Sequence, residues 1–414
     1  MRAALAGLIV AGVVLAVAAC NEIVGNEEPT RWDPPGRDGR TDGGKGPTFD
    51  LCDGGTCGQD ACDGPCIVDC GDAMVTDPDN NCGRCGRSCL GGKCVDGGCT
   101  PVLVSQEEYP VDVLVEPEPE GYVYWATGSE PARSRIMRRA KSLGKPPEIV
   151  ADGGAPFFSP RMGMQGGRLY WLTDEQTTSA HRTKVNWANK DGTSSQRFEV
   201  EGSAGAVAHD GAAMYWTVYH PRAAVRRWPL GGDASTMATW WLDAKTSDAG
   251  ARTFTALVAE PGPSERLFWL DSDGVHRIEK NGAEPKLVSS AGSPSPGLTL
   301  AVTKTELYFS TLTPQAIVRT NHDGQCPGKT TCPEVVVDSE FVGNARALTI
   351  EGNTLYWGNY PMGGLMRANL DGSRPTTLAT PEIGGVVGIA LDDRAIYYVT
   401  SFFRTYGSVW RVAK

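Results

Sequence analysis

The feature that most constrains this chain is a short aromatic strand met seven times between residues 101 and 414. It reads Tyr122-Val123-Tyr124-Trp125, Leu169-Tyr170-Trp171, Met214-Tyr215-Trp216, Leu267-Phe268-Trp269, Leu307-Tyr308-Phe309, Leu355-Tyr356-Trp357 and Ile396-Tyr397-Tyr398. The last aromatics of successive copies are 46, 45, 53, 40, 48 and 41 residues apart. Apolar runs this short, rich in aromatic residues and bounded by Gly, Asp and Asn, read as strands rather than helix faces. A period of 40 to 50 residues is that of a propeller blade, a four-stranded unit that buries its faces only against its neighbours.

Each copy resolves into four strands. In the sixth, residues 346–350 form the inner strand and 354–357 the second; 364–369 form the third and 376–379 the fourth. Asp371-Gly372 sits between the last two, where a tight hairpin needs two positive φ angles, and Asp191-Gly192, Asn281-Gly282 and Asp323-Gly324 hold the same place elsewhere. Small inner strands such as Gly205-Ala206-Val207-Ala208 suit the crowded centre of a ring, and the aromatic strand suits the packed face between blades. An arginine recurs on the third strand as Arg138, Arg227, Arg277, Arg319, Arg367 and Arg411, with Asn186 read at its place in the second copy. Repetition in nearly every blade marks a structural donor, since guanidinium can satisfy several carbonyls.

The last copy ends after its third strand, residues 408–412, and residues 101–105 form a spare strand ahead of the first copy. Pairing the two closes the ring and removes its open edges. The fold predicted is therefore all-β, a seven-bladed β-propeller, with six blades as the alternative, preceded by a small disulfide-rich module. Leu355-Tyr356-Trp357 with Leu365-Met366-Arg367-Ala368-Asn369-Leu370-Asp371-Gly372, and Phe268-Trp269-Leu270-Asp271, resemble the YWTD propellers of lipoprotein receptors. That family usually has six blades, and its motif aspartate is present here only as Asp271.

The first nineteen residues, Met1-Arg2 and an uncharged run to Ala19, have the form of an export signal. Val17-Ala18-Ala19-Cys20 resembles the lipobox of bacterial lipoproteins, which implies lipidation of Cys20 and attachment to a membrane surface. Asn21 follows where an inner-membrane retention signal would carry Asp, so the resemblance implies the outer membrane or cell surface. Residues 20–51 are then a polar tether rich in Gly, Pro and charge.

Ten cysteines fall in residues 52–100: Cys52, Cys57, Cys62, Cys66, Cys70, Cys82, Cys85, Cys89, Cys94 and Cys99. So little apolar material cannot make a core, and staples replace one in an oxidising compartment. With Cys20 set aside from thirteen, twelve remain, and Cys326 and Cys332 lie close together in a later loop, so every cysteine can pair. A zinc site is disfavoured, because Cys82 and Cys85 have no second pair of that spacing and the module has no histidine. The loop around Asp77 lacks the spacing and terminal glutamate of a calcium loop. Residues 81–89 resemble the short Cys-Gly-rich repeats of secreted proteins, which implies a spacer or adhesion role.

A net charge of −10 argues against a nucleic-acid partner, which would demand a basic face. The five histidines, His181, His209, His220, His276 and His322, share no spacing, and no nucleophile elbow or phosphate loop is present. No cofactor, metal or catalytic residue is expected. Contact residues are expected where the repeats differ, on the loops between second and third strands: Tyr219, His220, Arg222, Tyr360, Phe402, Phe403, Arg404 and Tyr406. The expectation is a lipid-anchored binding or scaffold protein whose propeller face contacts protein or glycan. The alternatives are a propeller lyase or glycoside hydrolase acting on an extracellular polymer, and a structural envelope component.

Overall fold

The computed structural model describes Asp79, residues 81–83 and residues 87–414, the last without 129–133, 153–161, 177–180, 244–252, 261–265, 281–283, 291–295, 362, 382–383 and 403–405. The chain divides into two compact units, Met1–Thr56 and Cys57–Lys414, and every described residue belongs to the second. Cys20, the tether and Cys52, Cys57, Cys62, Cys66, Cys70 and Cys85 lie outside the described residues.

Seven antiparallel four-stranded sheets form the propeller. Blade I comprises Pro110–Val115, Tyr122–Thr127, Arg135–Ala140 and Glu148–Asp152; blade II comprises Gly163–Gln165, Arg168–Gln176, His181–Asn189 and Gln196–Glu201. Blade III runs Ser203–His209, Ala213–His220, Ala224–Pro229 and Ala238–Leu242; blade IV runs Ala256–Ala259, Arg266–Asp271, Gly274–Glu279 and Lys286–Ser289. Blade V holds Pro296–Val302, Glu306–Leu312, Gln315–Asn321 and Glu334–Val337; blade VI holds Ala347–Glu351, Thr354–Gly358, Leu365–Asn369 and Thr376–Ala379. Blade VII takes Gly385–Leu391, Ala395–Phe402 and Tyr406–Ala413 from the end of the chain and Val102–Glu108 from the beginning. The predicted closure strand is present and runs three residues further along the chain than read, pairing Val102 with Arg411 and Glu108 with Tyr406 around one bulge.

The aromatic strand is core, as expected. Trp125, Trp216, Trp269 and Trp357 are 0% exposed and Trp171 is 2% exposed, each packed between adjacent blades. Truncating one such tryptophan to alanine costs roughly 3–5 kcal/mol, so the stripe alone makes the ring cooperative.

Three of the third-strand arginines reach across to the next blade. Arg138 donates to the carbonyl of Lys190 at 2.7 Å, Arg277 to that of His322 at 3.0 Å, and Arg411 to that of Lys141 at 2.5 Å. Each acceptor is the first residue after the third strand of the following blade. Its side chain in turn points back to an acid at the end of, or just after, the preceding blade's inner strand. Lys141 meets Asp392 at 2.8 Å, Lys190 meets Glu116 at 2.9 Å, Lys280 meets Asp210 at 2.5 Å, His322 lies 3.8 Å from Glu260, and Lys414 pairs with Glu351. Second-strand hydroxyls join in, Tyr124 bonding Glu116 at 3.2 Å and Tyr215 bonding Asp210 at 2.9 Å. Burial alone would raise these carboxyls, but the lysine, backbone amides and tyrosine outweigh it, holding Asp210 at about 2 and Glu116 and Asp392 below the usual range.

Two seams lack the clamp, with Leu230 and Leu370 at the basic position. At the seam of blades II and III the arginine place is taken by Trp187, not by Asn186 as the sequence was read. Trp187 stands opposite Tyr170, as Arg138 does opposite Tyr124 and Arg227 opposite Tyr215. Asn186 stands opposite Trp171, its amide donating to Lys184 and Thr173 at 2.9 and 3.2 Å. Trp187 lies 5.3 Å from Trp228 and 6.0 Å from Phe198 between ring centres, with Leu230 packed beside them. An aromatic cluster thus replaces the ionic clamp, and polar similarity drew the sequence alignment one residue off register.

The described part of the cysteine module contains the disulfides Cys82–Cys94 and Cys89–Cys99, and Cys326–Cys332 closes the last hairpin of blade V. Cys94–Val95 pairs with Gly98–Cys99 across Asp96 and Gly97, both at positive φ (49° and 73°), the turn a two-residue hairpin requires. This module sits on the end of blade VII. Arg87 donates to the Lys414 carbonyl at 2.7 Å, Arg411 donates to the Leu90 carbonyl, and Ala413 packs among Cys82, Cys89 and Cys99.

Candidate recognition face

The topology gives the ring two unlike faces. One carries the tight turns between first and second and between third and fourth strands, and it also carries the ion-pair clamps. The other carries the loops joining second to third strands and each blade to the next. The expected contact residues that are described, Tyr219, His220, Arg222, Tyr360, Phe402 and Tyr406, lie on this loop face.

Tyr360 is held through its backbone and through the neighbouring Asn359. Its amide donates to Gly343 at 3.0 Å, while Asn359 accepts from Gly343 at 3.0 Å and donates to Phe341 at 3.0 Å. The Arg346 guanidinium lies 3.8 Å from the centre of the Tyr360 ring, a cation–π contact between an exposed cation and a half-buried aromatic. In the neighbouring blade VII, Phe402 and Tyr406 face each other across the two strands, with Tyr406 67% exposed. Phe403 and Arg404 lie outside the described residues. Tyr219, His220 and Arg222 are on blade III, with Tyr219 packed against the core of blades III and IV and Arg222 exposed. The structure therefore groups Tyr360 with Phe402 and Tyr406 on adjacent blades, and places Tyr219, His220 and Arg222 on a blade adjoining neither.

Two further sites on this face are not evident from sequence. In blade IV, Asp271 is fully buried and accepts from the Trp269 indole at 3.0 Å, the Asp273 amide at 2.8 Å and His276 at 3.1 Å. Burial would raise its pKa, but His276, the amide and the indole hold it below the usual carboxylate range. The His276 ring stacks on Trp269 at 5.4 Å and 9°, and Trp241 stacks on Trp269 at 5.3 Å. Donor atoms of Asp271, Asp273 and His276 come within 4.8 Å of one another. With three donors already on the Asp271 carboxylate, the group reads as a packed polar core. Here the one aspartate matching the YWTD motif is a structural brace.

The second is a cavity of about 280 Å³ where blades VII and I meet, lined by Glu107, Glu108, Thr127 and Arg135. Glu107 and Glu108 end the closure strand, and Thr127 and Arg135 flank the loop between second and third strands of blade I.

No protein-family model matches the chain, and no curated protein matches it in sequence. Solved structures share its fold at low identity. A chain of a mitotic checkpoint complex matches with a TM-score of 0.53 and 11% identity, over 76% of this chain and 95% of that one. A puromycin-hydrolyzing peptidase of Mycobacterium tuberculosis matches with a TM-score of 0.50 and 14% identity, over 73% of this chain and 50% of that one. A chain of a nidogen/laminin complex matches at 15% identity over 56% of this chain and 86% of that one, with a TM-score of 0.40. The first two likenesses bear on the fold alone. Among the described residues, no helix is long and apolar enough to cross a membrane.

Proposed function

We propose that this chain is an exported, lipid-anchored recognition or scaffold protein that presents the loop face of its propeller to a protein or glycan. The observation that carries the reading is where the cysteine module sits. Its contacts with Lys414, Ala413 and Arg411 are at the end of the last strand, on the tight-turn face. The loop face, with Tyr360, Phe402 and Tyr406, lies on the opposite side of the ring from these contacts. The disulfides fit an oxidising compartment outside the cytosol.

Two measurements test the reading. Metabolic labelling with palmitate, comparing the chain with its Cys20→Ser variant, should give a labelled, membrane-sedimenting protein only for the former. Capture of envelope proteins and glycans by the disulfide-intact chain should be lost in a Tyr360→Ala, Phe402→Ala, Tyr406→Ala variant that melts like the parent. Capture unchanged by these substitutions would remove the loop face of blades VI and VII from the proposal.

A further inference from the structure

We infer that the seam between blades IV and V is an acid-sensitive joint of the ring, held by a neutral His322 and loosened when that imidazole takes up a proton.

His322 is buried and occupies the place that Lys141, Lys190, Lys280 and Lys414 hold at the other clamped seams. Both of its ring nitrogens are engaged. Nδ1 lies 3.0 Å from the Arg266 guanidinium, and Nε2 lies 3.2 Å from the Thr303 carbonyl. Arginine can only donate and a carbonyl can only accept, so these partners fix one neutral tautomer, with its hydrogen on Nε2. The ring packs on Phe268 at 4.8 Å between centres, and the His322 carbonyl accepts from Arg277 at 3.0 Å. The imidazole is thus wedged between blade IV and the first turn of blade V.

The arginine is as unusual as the histidine. Arg266 stands two residues before the second-strand aromatic that faces the third-strand arginine, and the other clamped seams have Tyr122, Ala213, Thr354 and Ala395 at that place. A lysine beside a guanidinium would set two cations together, whereas a neutral histidine accepts from it. His322 and Arg266 therefore replace the lysine as a pair.

Protonation undoes the arrangement. An imidazolium has two N–H groups and no lone pair, so the Arg266 bond is lost whatever the surrounding charge, and two cations are left in contact. Among the described residues of blade IV, Glu260 lies 3.8 Å from Nδ1, and Glu279 is paired with Arg266 and Arg277. On blade V, Asp323 is paired with Arg277 at 2.5 Å, and Glu306 accepts from the Tyr308 hydroxyl at 2.8 Å. Burial opposes the proton most, Glu260 draws it in and Arg266 repels it, and the balance holds His322 below its ordinary 6.5. A base lowered on folding gives stability that is complete above the unfolded value and declines as pH falls through it toward the folded one. The carboxylates of the lysine clamps titrate further down, Asp210 at about 2.

The test compares the disulfide-intact chain with two variants between pH 7.5 and pH 5. In urea denaturation the folding equilibrium constant of the parent should fall severalfold through His322, within the limit of roughly thirtyfold that an unfolded value of 6.5 sets at pH 5. His322→Gln can accept from Arg266 and donate to Thr303 without titrating, so that share of the fall should vanish from its profile. Hydrogen-exchange protection of the amides in blades IV and V should drop at pH 5 in the parent and hold in His322→Gln. Carbon-13 NMR of the histidine rings should show His322, identified by its absence from the variant, titrating below 6.5 in the folded parent. Arg266→Met removes the donor and leaves Glu260 facing Nδ1, so the His322 titration should move to higher pH. A glutamine variant whose pH profile parallels the parent, or a His322 ring that titrates at or above 6.5 in the folded parent, overturns the inference. Should His322→Gln not fold, the ring whose titration moves in Arg266→Met identifies His322 and decides the same question, and no ring moving overturns it.

Discussion

Lys141 is gripped from both ends by a blade that the chain completes about 270 residues later. Its carbonyl accepts from Arg411 at 2.5 Å, and its ammonium pairs with Asp392 at 2.8 Å with both side chains nearly excluded from solvent (5% and 7% exposed). A buried pair of this kind is expensive to halve, because the survivor is left charged and unpaired. Asp392→Ala should destabilise the propeller by about 3–5 kcal/mol, whereas Lys141→Met with Asp392→Leu should recover much of that loss. Urea denaturation of the two variants checks the prediction, and a double variant no more stable than Asp392→Ala would contradict it.

Acid should act on the same clamps. Asp210 titrates at about 2 in the folded chain against an ordinary 3.8, so its contribution is present in full above the unfolded value and is lost as pH falls through the folded one. Glu116 and Asp392 are lowered in the same direction. Stability measured between pH 5 and pH 2 should therefore fall with pH, and Asp210→Asn should flatten part of that slope while lowering stability at neutral pH. An unchanged slope in the variant would show that Asp210 is not the titrating group.

The hairpin glycines should split into two classes. A side chain at Gly372 would place its first carbon 1.9 Å from the Val336 carbonyl of the preceding blade, at a φ of +82°. Gly352 has a φ of +55° and open space around it. Gly372→Ala should cost roughly 2 kcal/mol or more through clash and strain together, and Gly352→Ala about 1 kcal/mol through strain alone. Thermal melts of the pair decide it, and equal shifts would contradict the close interblade approach.

The cysteine module should stabilise the ring it is seated on. Replacing Cys89 and Cys99 by serine removes the staple beneath Ala413 and should cost about 2–4 kcal/mol in the whole propeller, seen as one cooperative transition at lower temperature. A separate low-temperature transition with an unshifted main one would mean that the module does not brace blade VII.

Much of the architecture was readable because its signals are local. The aromatic strand, the Asp-Gly hairpin and the small inner strand each lie within a single blade, and the spare strand at Val102 announced the closure by the absence of a fourth strand after Ala413. The clamps were not readable, since Lys190 and Glu116, or Lys280 and Asp210, are distant in sequence and meet only when consecutive blades pack. Trp187 was missed for a related reason: the repeat position is set by register with Tyr170, whereas residue type pointed to Asn186 beside it. The cavity is likewise non-local, its walls coming from the closure strand and from blade I. What sequence does offer at the loop face is aromatic residues in irregular segments, and of these Tyr360, Phe402 and Tyr406 fall on neighbouring blades while Tyr219 stands apart.

The clamp also has a direction. Five of the seven seams join a base on one blade to an acid on the blade before it, so a blade such as I, with Lys141 on one flank and Glu116 on the other, is a head-to-tail connector. A gene that copied such a blade would bring both halves of a working joint with it. Lengthening the ring by duplication would then leave those boundaries matched, and only the seams holding Leu230 and Leu370 would have had to be rewritten in oil.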